Sequence, residues 1–216
     1  KNGFIWWHVR HTARWSNGGA ASGWFLLIAG LAVAGADGAA RIGAQLTDRA
    51  LQVAADAAIG PVELWCAPDC SHDFFERCRD RYGVSLHAQT DGDIGQRMAH
   101  AFDDALGRHA SAVLIGADAV SLQPADLRAA GVALRSHDAA FAPAEDGGYL
   151  LVGLRIRQAA LFDGIAWGSA GVWPQTRAVI ERLGLSAQVL ATGYDLDRPD
   201  DYRRAVAEDL LVPEPC

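Results

Sequence analysis

Acidic side chains recur at three points of the chain where an apolar run gives way to a loop. They are Asp118 after the run at 112–115, Glu145 and Asp146 before paired glycines, and Asp195 and Asp197 before the last predicted helix. Carboxylate oxygens are the ligands that Mg²⁺ and Mn²⁺ prefer, commonly together with substrate phosphates. The acidic residues therefore predict metal-assisted chemistry at a diphosphate group.

Each acidic group also has a purely structural interpretation. Asp195 and Asp197 could form a helix cap and a turn, and Asp118 could be a turn residue at the end of a strand. The pair Glu145 and Asp146 is more specific, because a turn there needs the glycines but not both acids. Gly147 and Gly148 would let the backbone approach a ligand closely.

The elements that position these residues alternate along the chain. Strands are predicted at 62–66, 84–88, 112–115 and 187–190, with helices at about 39–58, 71–81, 94–106, 124–134 and 172–183 and a last helix from Pro199. Ser71 is the predicted cap of the second helix, and Asp91 or Asp93 that of the third. This alternation indicates βαβ units and an α/β fold with a mostly parallel sheet. Asp118 then lies at the carboxyl end of a strand, where such sheets bind ligands.

Length, charge and cysteine spacing exclude several classes of protein. The chain has 216 residues, 50% of them hydrophobic, which suits one well-filled domain, and its net charge of -7 argues against a broad basic surface for nucleic acid. The longest apolar run, 24–36, is shorter than the roughly 20 residues of a membrane span, so we expect a buried strand or helix. The cysteine spacing favours free thiols, and with them a cytoplasmic protein. Hydrolase-elbow, zincin and P-loop motifs do not occur in the sequence.

The first 23 residues differ from the rest. They contain aromatic and basic residues without sustained periodicity, namely Trp6, Trp7, His8, Arg10, His11, Arg14 and Trp15. A stacking platform for bases is one interpretation, and a poorly ordered leader is the one we favour. The sequence thus predicts a leader at 1–23 and a single domain at 24–216.

Arg97 lies near the start of the third predicted helix. A helix start is suited to contacting a phosphate, so Arg97 is a candidate substrate-binding residue. An exposed arginine on a simple capped helix explains the same residues equally well.

Six segments together resemble a bacterial glycosyltransferase-A-like family that includes arsenosugar-biosynthesis-type glycosyltransferases. They are ADGAARIGAQLTDRAL, DGDIGQRMAHAF, VLIGADAVSLQPADL, APAEDGGYLLVGL, LFDGIAWGSAGVWPQT and YDLDRPDDYRRA, and they cover roughly residues 36–210 in the expected order. The family is similar in fold to the guanylyltransferases of molybdenum-cofactor and deazaflavin-cofactor synthesis.

The resemblance implies a Rossmann-like α/β/α sandwich of the nucleotide-diphospho-sugar transferase type and a divalent metal, Mg²⁺ or Mn²⁺. It implies metal contacts from Asp118, Asp195 and Asp197, and catalytic roles for Asp146 and Glu145, with Asp146 as either a base or a further metal partner. The sugar or acceptor would be bound by Gly147, Gly148 and Tyr149 and by Trp167, Gly168 and Ser169.

The reaction implied is transfer of a sugar from a nucleotide-diphospho-sugar to a small-molecule acceptor. A guanylyltransferase-like alternative uses a nucleoside triphosphate and releases pyrophosphate. The chain departs from the family at its start, where the usual K-A-P-x-P-G-x-V-K-T-R-L loop is missing and an apolar run stands instead. A catalytically silent nucleotide-binding protein is therefore a third alternative.

Overall fold

A computed structural model describes residues 3–10 and 25–213, with side chains described at 38–213. The strands are β1 Gly3–Arg10, β2 Val62–Ala67, β3 Ser85–Ala88, β4 Ala112–Ile115, β5 Ala139–Pro143, β6 Tyr149–Leu154 and β7 Ala187–Val189. The helices are α1 Phe25–Ala57, α2 Asp73–Tyr82, α3 Ile94–Arg108, α4 Pro124–Ala133, α5 Val172–Leu183 and α6 Pro199–Ala207, with a 3-10 helix at Ala159–Phe162.

The strands form one seven-stranded sheet in the order β3-β2-β1-β4-β6-β5-β7. All neighbouring strands are parallel except at β6, which runs antiparallel to both β4 and β5. The predicted mostly parallel sheet is therefore confirmed, with β6 as the exception. Because β4 and β5 both run opposite to β6, their carboxyl ends lie at the same edge of the sheet.

Helices cover both faces of the sheet, as alternate residues of β4 show. Val113 and Ile115 pack into a cluster with residues of α1, α2 and α4. Ala112 and Leu114 pack into a second cluster with residues of α3 and α5. A strand covered on both faces needs apolar side chains at every position, which explains its continuous apolar run. The predicted three-layer sandwich is confirmed.

Local signals explain most helix ends. Asp93 and Gln96 form a capping box at the start of α3, as predicted for Asp93. Helix α2 differs, because its cap is His72, whose Nδ1 accepts from the Phe74 amide at 3.1 Å. The Ser71 hydroxyl instead donates to Asp69 at 2.5 Å, so the predicted Ser71 cap is wrong.

The structure differs from the predicted leader over its first part. Gly3–Arg10 is β1, which pairs with β2 on one side and β4 on the other. Residues 1–2 and 11–23, the remainder of that segment, lie outside the described residues. From Phe25 onward the apolar run belongs to α1. Within the described part of the chain, no helix combines the length and apolar character that a membrane crossing requires.

Candidate active site

The turn after β4 carries Asp118 at the carboxyl edge of the sheet. Its backbone carbonyl accepts from the Val120 amide at 2.6 Å and from the Leu196 amide at 3.0 Å. Arg49 of α1 supports this turn from behind, since its Nε donates to the Val120 carbonyl at 2.7 Å and its Nη2 to the Leu122 carbonyl at 3.2 Å. Helix α1 thereby fixes the loop that bears the first predicted metal ligand.

The segment that bears Asp195 and Asp197 lies between the loops after β4 and β5. On one side the Ser121 hydroxyl donates to the Tyr194 carbonyl at 2.7 Å. On the other side the Glu145 amide donates to the Gly193 carbonyl at 2.9 Å. These backbone contacts bring acidic residues that are distant in sequence to one place, as the predicted site requires.

Three of the predicted acidic residues converge. Carboxylate oxygens of Asp146, Asp195 and Asp197 lie within 4.8 Å of one another, close enough to hold one metal ion. Asp118 interacts electrostatically with Asp146 and Asp197. The structure therefore groups Asp146 with the predicted metal ligands rather than apart from them.

Crowding of these carboxylates changes their titration. Burial, followed by repulsion from Asp197 and Asp146, raises the pKa of Asp118 to about 6. Burial and repulsion from Asp118, Asp197 and Asp146 raise the pKa of Asp195 to about 8. The pKa of Asp197 is also raised, mainly by burial. A cation bound beside these carboxyl groups would favour their charged form.

The glycines after Asp146 allow a close approach of two loops. The Gly148 amide donates to Asp146 Oδ1 at 2.8 Å, and Gly147 has a φ of 95°. A Cβ at position 147 would lie 2.8 Å from the Ala170 carbonyl carbon. The Gly147 carbonyl accepts from the Trp173 amide at 2.8 Å, so the start of α5 packs against this turn.

The predicted sugar or acceptor residues lie in two loops that meet at Gly147, and the rings of Tyr149 and Trp167 pack against the core. Tyr149 and Trp167 meet edge to face with ring centres 6.3 Å apart. A Cβ at Gly95 of α3 would lie 2.7 Å from Trp167 Nε1, so the indole packs tightly against α3. Ser169 shapes the turn that follows, because its hydroxyl donates to the Ala166 carbonyl at 2.7 Å, and Gly168 has a φ of 77°. Their roles in substrate binding stay predictions.

Arg97 contacts its own loop. Its Nε donates to the Gly92 carbonyl at 2.9 Å, and its Nη1 to Gln89 Oε1 at 3.2 Å. The side chain thus braces the loop before α3, and its predicted contact with substrate stays a prediction.

Glu145 is held by Arg204 of α6, whose Nη1 lies 3.0 Å from Glu145 Oε2. Its predicted catalytic role stays a prediction. Neither Arg204 nor Arg49 is predicted from the sequence to be a site residue. In the sequence, Arg204 is marked only by its place in the motif that follows Asp197. Its contact with Glu145 could not be foreseen, because the two residues are 59 positions apart.

Solved structures with a similar fold come from several bacteria. A candidate nucleotide-diphospho-sugar transferase from Desulfovibrio desulfuricans is 25% identical, with a TM-score of 0.72 over 90% of this chain and 81% of that one. A 4-diphosphocytidyl-2C-methyl-D-erythritol synthase from Anaerococcus prevotii is 10% identical, with a TM-score of 0.62 over 97% and 96%. The Mycobacterium tuberculosis protein Rv0371c, in complex with manganese, is 20% identical, with a TM-score of 0.53 over 75% and 85%.

The fold is therefore that of the nucleotide-diphospho-sugar transferases, as the resemblance implied. No curated protein matches the sequence significantly. A family described as "Uncharacterized protein conserved in bacteria (DUF2064)" matches residues 50–169, a range that includes Asp118 and the loop of Glu145–Tyr149. This range is more than half of the chain, and the protein belongs to the DUF2064 family.

Proposed function

We propose that this protein is a metal-dependent glycosyltransferase that moves a sugar from a nucleotide-diphospho-sugar to a small-molecule acceptor. The observation that carries the proposal is the convergence of Asp118, Asp146, Asp195 and Asp197 at the carboxyl edge of the sheet. The similarity in fold to a candidate transferase of this type supports it. A cytoplasmic location is part of the same proposal, and the free thiols of Cys66, Cys70 and Cys78 are consistent with it.

The donor set fits Mg²⁺ or Mn²⁺. Asp146, Asp195 and Asp197 offer only hard carboxylate oxygens, and Asp118 adds a fourth carboxylate beside them. Such an ion, when bound, neutralises charge on the diphosphate group. The raised pKa of Asp195 fits the same assignment, because bound cations favour the ionised form of a carboxyl.

The chain's own residues would orient the substrate. The Gly147–Gly148 turn directly follows Asp146 and meets the loop of Trp167–Ala170 at Gly147, and the rings of Tyr149 and Trp167 lie edge to face. Aromatic side chains commonly line small-molecule sites, so we assign the sugar or the acceptor to these two loops. Asp146 then has one proposed role, as a metal ligand, and Glu145 positions the loop.

Nucleotidyl transfer is the second candidate. The likeness in fold to a diphosphocytidyl-compound synthase favours it. The same four carboxylates would serve it, since both reactions act on a metal-bound phosphate chain. The two reactions differ in their products, which are a nucleoside diphosphate for sugar transfer and pyrophosphate for nucleotidyl transfer.

Calorimetric titration tests the proposal. The purified chain is titrated with nucleoside diphosphates, nucleoside triphosphates and nucleotide sugars, in Mn²⁺ and in chelator, and compared with Asp118→Asn. We expect binding that requires Mn²⁺ and is lost in the variant, and the tightest nucleotide then guides product analysis. A folded wild-type protein that binds none of these ligands in Mn²⁺ would contradict the proposal, whereas nucleotide binding without any product would leave the catalytically silent alternative.

A further inference from the structure

Arg204 joins the two loops that carry the candidate metal ligands. Its Nη1 lies 3.2 and 3.0 Å from the two carboxylate oxygens of Glu145. Its guanidinium carbon lies 3.7 Å from the ring centre of Tyr194. Glu145 directly precedes Asp146 in the chain, and Tyr194 directly precedes Asp195. One side chain therefore contacts the immediate neighbour of a ligand in each loop.

A single ion pair on a protein surface usually fixes little, because two long side chains must be ordered to make it. Arg204 is held at more than one point. Its Nε donates to Glu208 Oε1 at 3.1 Å, and the Tyr194 hydroxyl donates to Glu208 Oε2 at 2.7 Å. Arg204, Tyr194 and Glu208 thus form a closed ring of contacts at the end of α6, and Glu145 pairs with its arginine. A closed network of this kind restricts both loops together.

We propose that Arg204 is a positioning residue that sets the spacing between Asp146 and the pair Asp195 and Asp197, and so prepares them to bind a divalent cation. It acts through Glu145 on one loop and through the Tyr194 ring on the other. This inference rests on the proposed metal dependence. In this proposal Glu145 connects its loop to Arg204 and does not need to contact the substrate.

The test compares Arg204→Met with Arg203→Met in the full chain. Arg203 is the next residue along α6 and pairs with Asp200, so its loss removes a surface ion pair without touching either loop. Mn²⁺ affinity is measured by calorimetry on the protein without nucleotide. We expect Arg204→Met to weaken Mn²⁺ binding about tenfold, the effect typical of residues that support metal ligands from behind. Arg203→Met should stay within about twofold of wild type, as expected for an exposed pair.

Glu145→Gln provides a second, independent variant. It removes the charge that Arg204 holds while leaving α6 unchanged, and we expect it also to weaken Mn²⁺ binding. Because both variants break the same contact, the double variant should lose less affinity than the sum of the two single losses. Mn²⁺ affinity that is unchanged in Arg204→Met, or in Glu145→Gln should Arg204→Met not fold, would overturn the proposal.

Hydrogen exchange separates this proposal from the proposed function. Amides at 145–148 and 193–197 should exchange faster in Arg204→Met than in Arg203→Met, since both loops lose a common support. This readout needs no metal. Failure of wild type to bind Mn²⁺ would count against the proposed function alone, whereas unchanged exchange in both loops would refute the role of Arg204.

Discussion

The carboxyl group of Asp195 is costly to ionise in the folded protein. Burial and three neighbouring carboxylates raise its pKa to about 8, and the pKa of Asp118 is raised to about 6. In the unfolded chain both groups would ionise near the ordinary pKa of about 3.9. Between pH of about 4 and about 8, the folded state therefore binds more protons than the unfolded state. The stability that protonation provides is complete below pH of about 4. It is lost as the pH rises through the folded-state pKa of Asp118, about 6, and that of Asp195, about 8.

We predict that the metal-free protein becomes less stable as pH rises from 5 to 8. Asp195→Asn should remove much of this fall, because the amide keeps the shape and loses the charge. At pH 8 the variant should melt at least about 2–4 °C above wild type, the shift that corresponds to roughly 1 kcal/mol in a domain of this size. The measurement is thermal unfolding in chelator at several pH values.

Asp80→Asn is the matched control, since Asp80 is exposed on α2 and its side chain contacts the adjacent Arg79. It should leave the pH dependence of melting unchanged. Equal effects of the two substitutions at pH 8 would show that overall charge, and not crowding at the site, governs the stability. We expect Asp195→Asn to gain stability and to lose Mn²⁺ binding, which is the trade-off between stability and function that is common at functional sites.

The turn between β5 and β6 depends on a glycine. Gly147 combines a φ of 95° with a contact that leaves no room for a Cβ beside the Ala170 backbone. We predict that Gly147→Ala lowers the free energy of unfolding by about 1–3 kcal/mol from backbone strain alone. The substitution should also displace the loop from the start of α5 and weaken metal binding through Asp146. Urea unfolding and calorimetry measure the two effects.

Gly43→Ala tests whether the effect belongs to position 147. Gly43 lies within α1, and a Cβ there would meet no atom within 4 Å among the described residues. Alanine should stabilise this helix position by about 0.5–1 kcal/mol, because glycine loses more conformational freedom on folding. Opposite signs for the two substitutions are expected, and destabilisation of similar size by both would contradict the interpretation.

Helix α1 supports the site through Arg49. Its two hydrogen bonds reach backbone carbonyls of the turn that carries Asp118, and its burial lowers the pKa of the guanidinium. Arg49→Met should therefore cost about 1–3 kcal/mol, the contribution of hydrogen bonds to a charged group. Chemical unfolding measures this loss, with the exposed Arg177→Met on α5 as control. A loss no larger than that of the control would show that the turn holds its shape without Arg49.

The sequence predicts these elements unevenly, for physical reasons. The bounds of β4 and α5 follow from local composition, and the structure gives both as predicted, at Ala112–Ile115 and Val172–Leu183. The antiparallel direction of β6 does not follow, because the direction of a strand is decided by its neighbours in the sheet. The acidic site residues could be predicted from the sequence, because aspartate and glutamate at loop positions restrict the chemistry to few possibilities. Arg49 and Arg204 could not be predicted, because the sequence does not show the distant residues that they contact.

The first 23 residues show the largest difference between the sequence-based prediction and the structure. Local periodicity assigns residues 1–23 to a leader, whereas the structure places Gly3–Arg10 between β2 and β4 as a central strand. A central strand of a parallel sheet is buried on both faces and does not alternate between apolar and polar residues. The lack of alternation in this segment therefore does not argue against a strand. The two interpretations predict opposite results for a truncated chain.

We predict that deletion of residues 1–23 prevents folding, because β2 and β4 would each lose the strand that pairs with them. Loss of the backbone pairing along both edges of β1 would cost an amount comparable with the stability of most domains, which is about 5–15 kcal/mol. A control that lacks only residues 1–2 keeps β1 whole and should fold as wild type does. Circular dichroism and chemical unfolding decide between the interpretations. If the chain that lacks residues 1–23 still folds stably and cooperatively, the segment is a leader and β1 is not needed for the sheet.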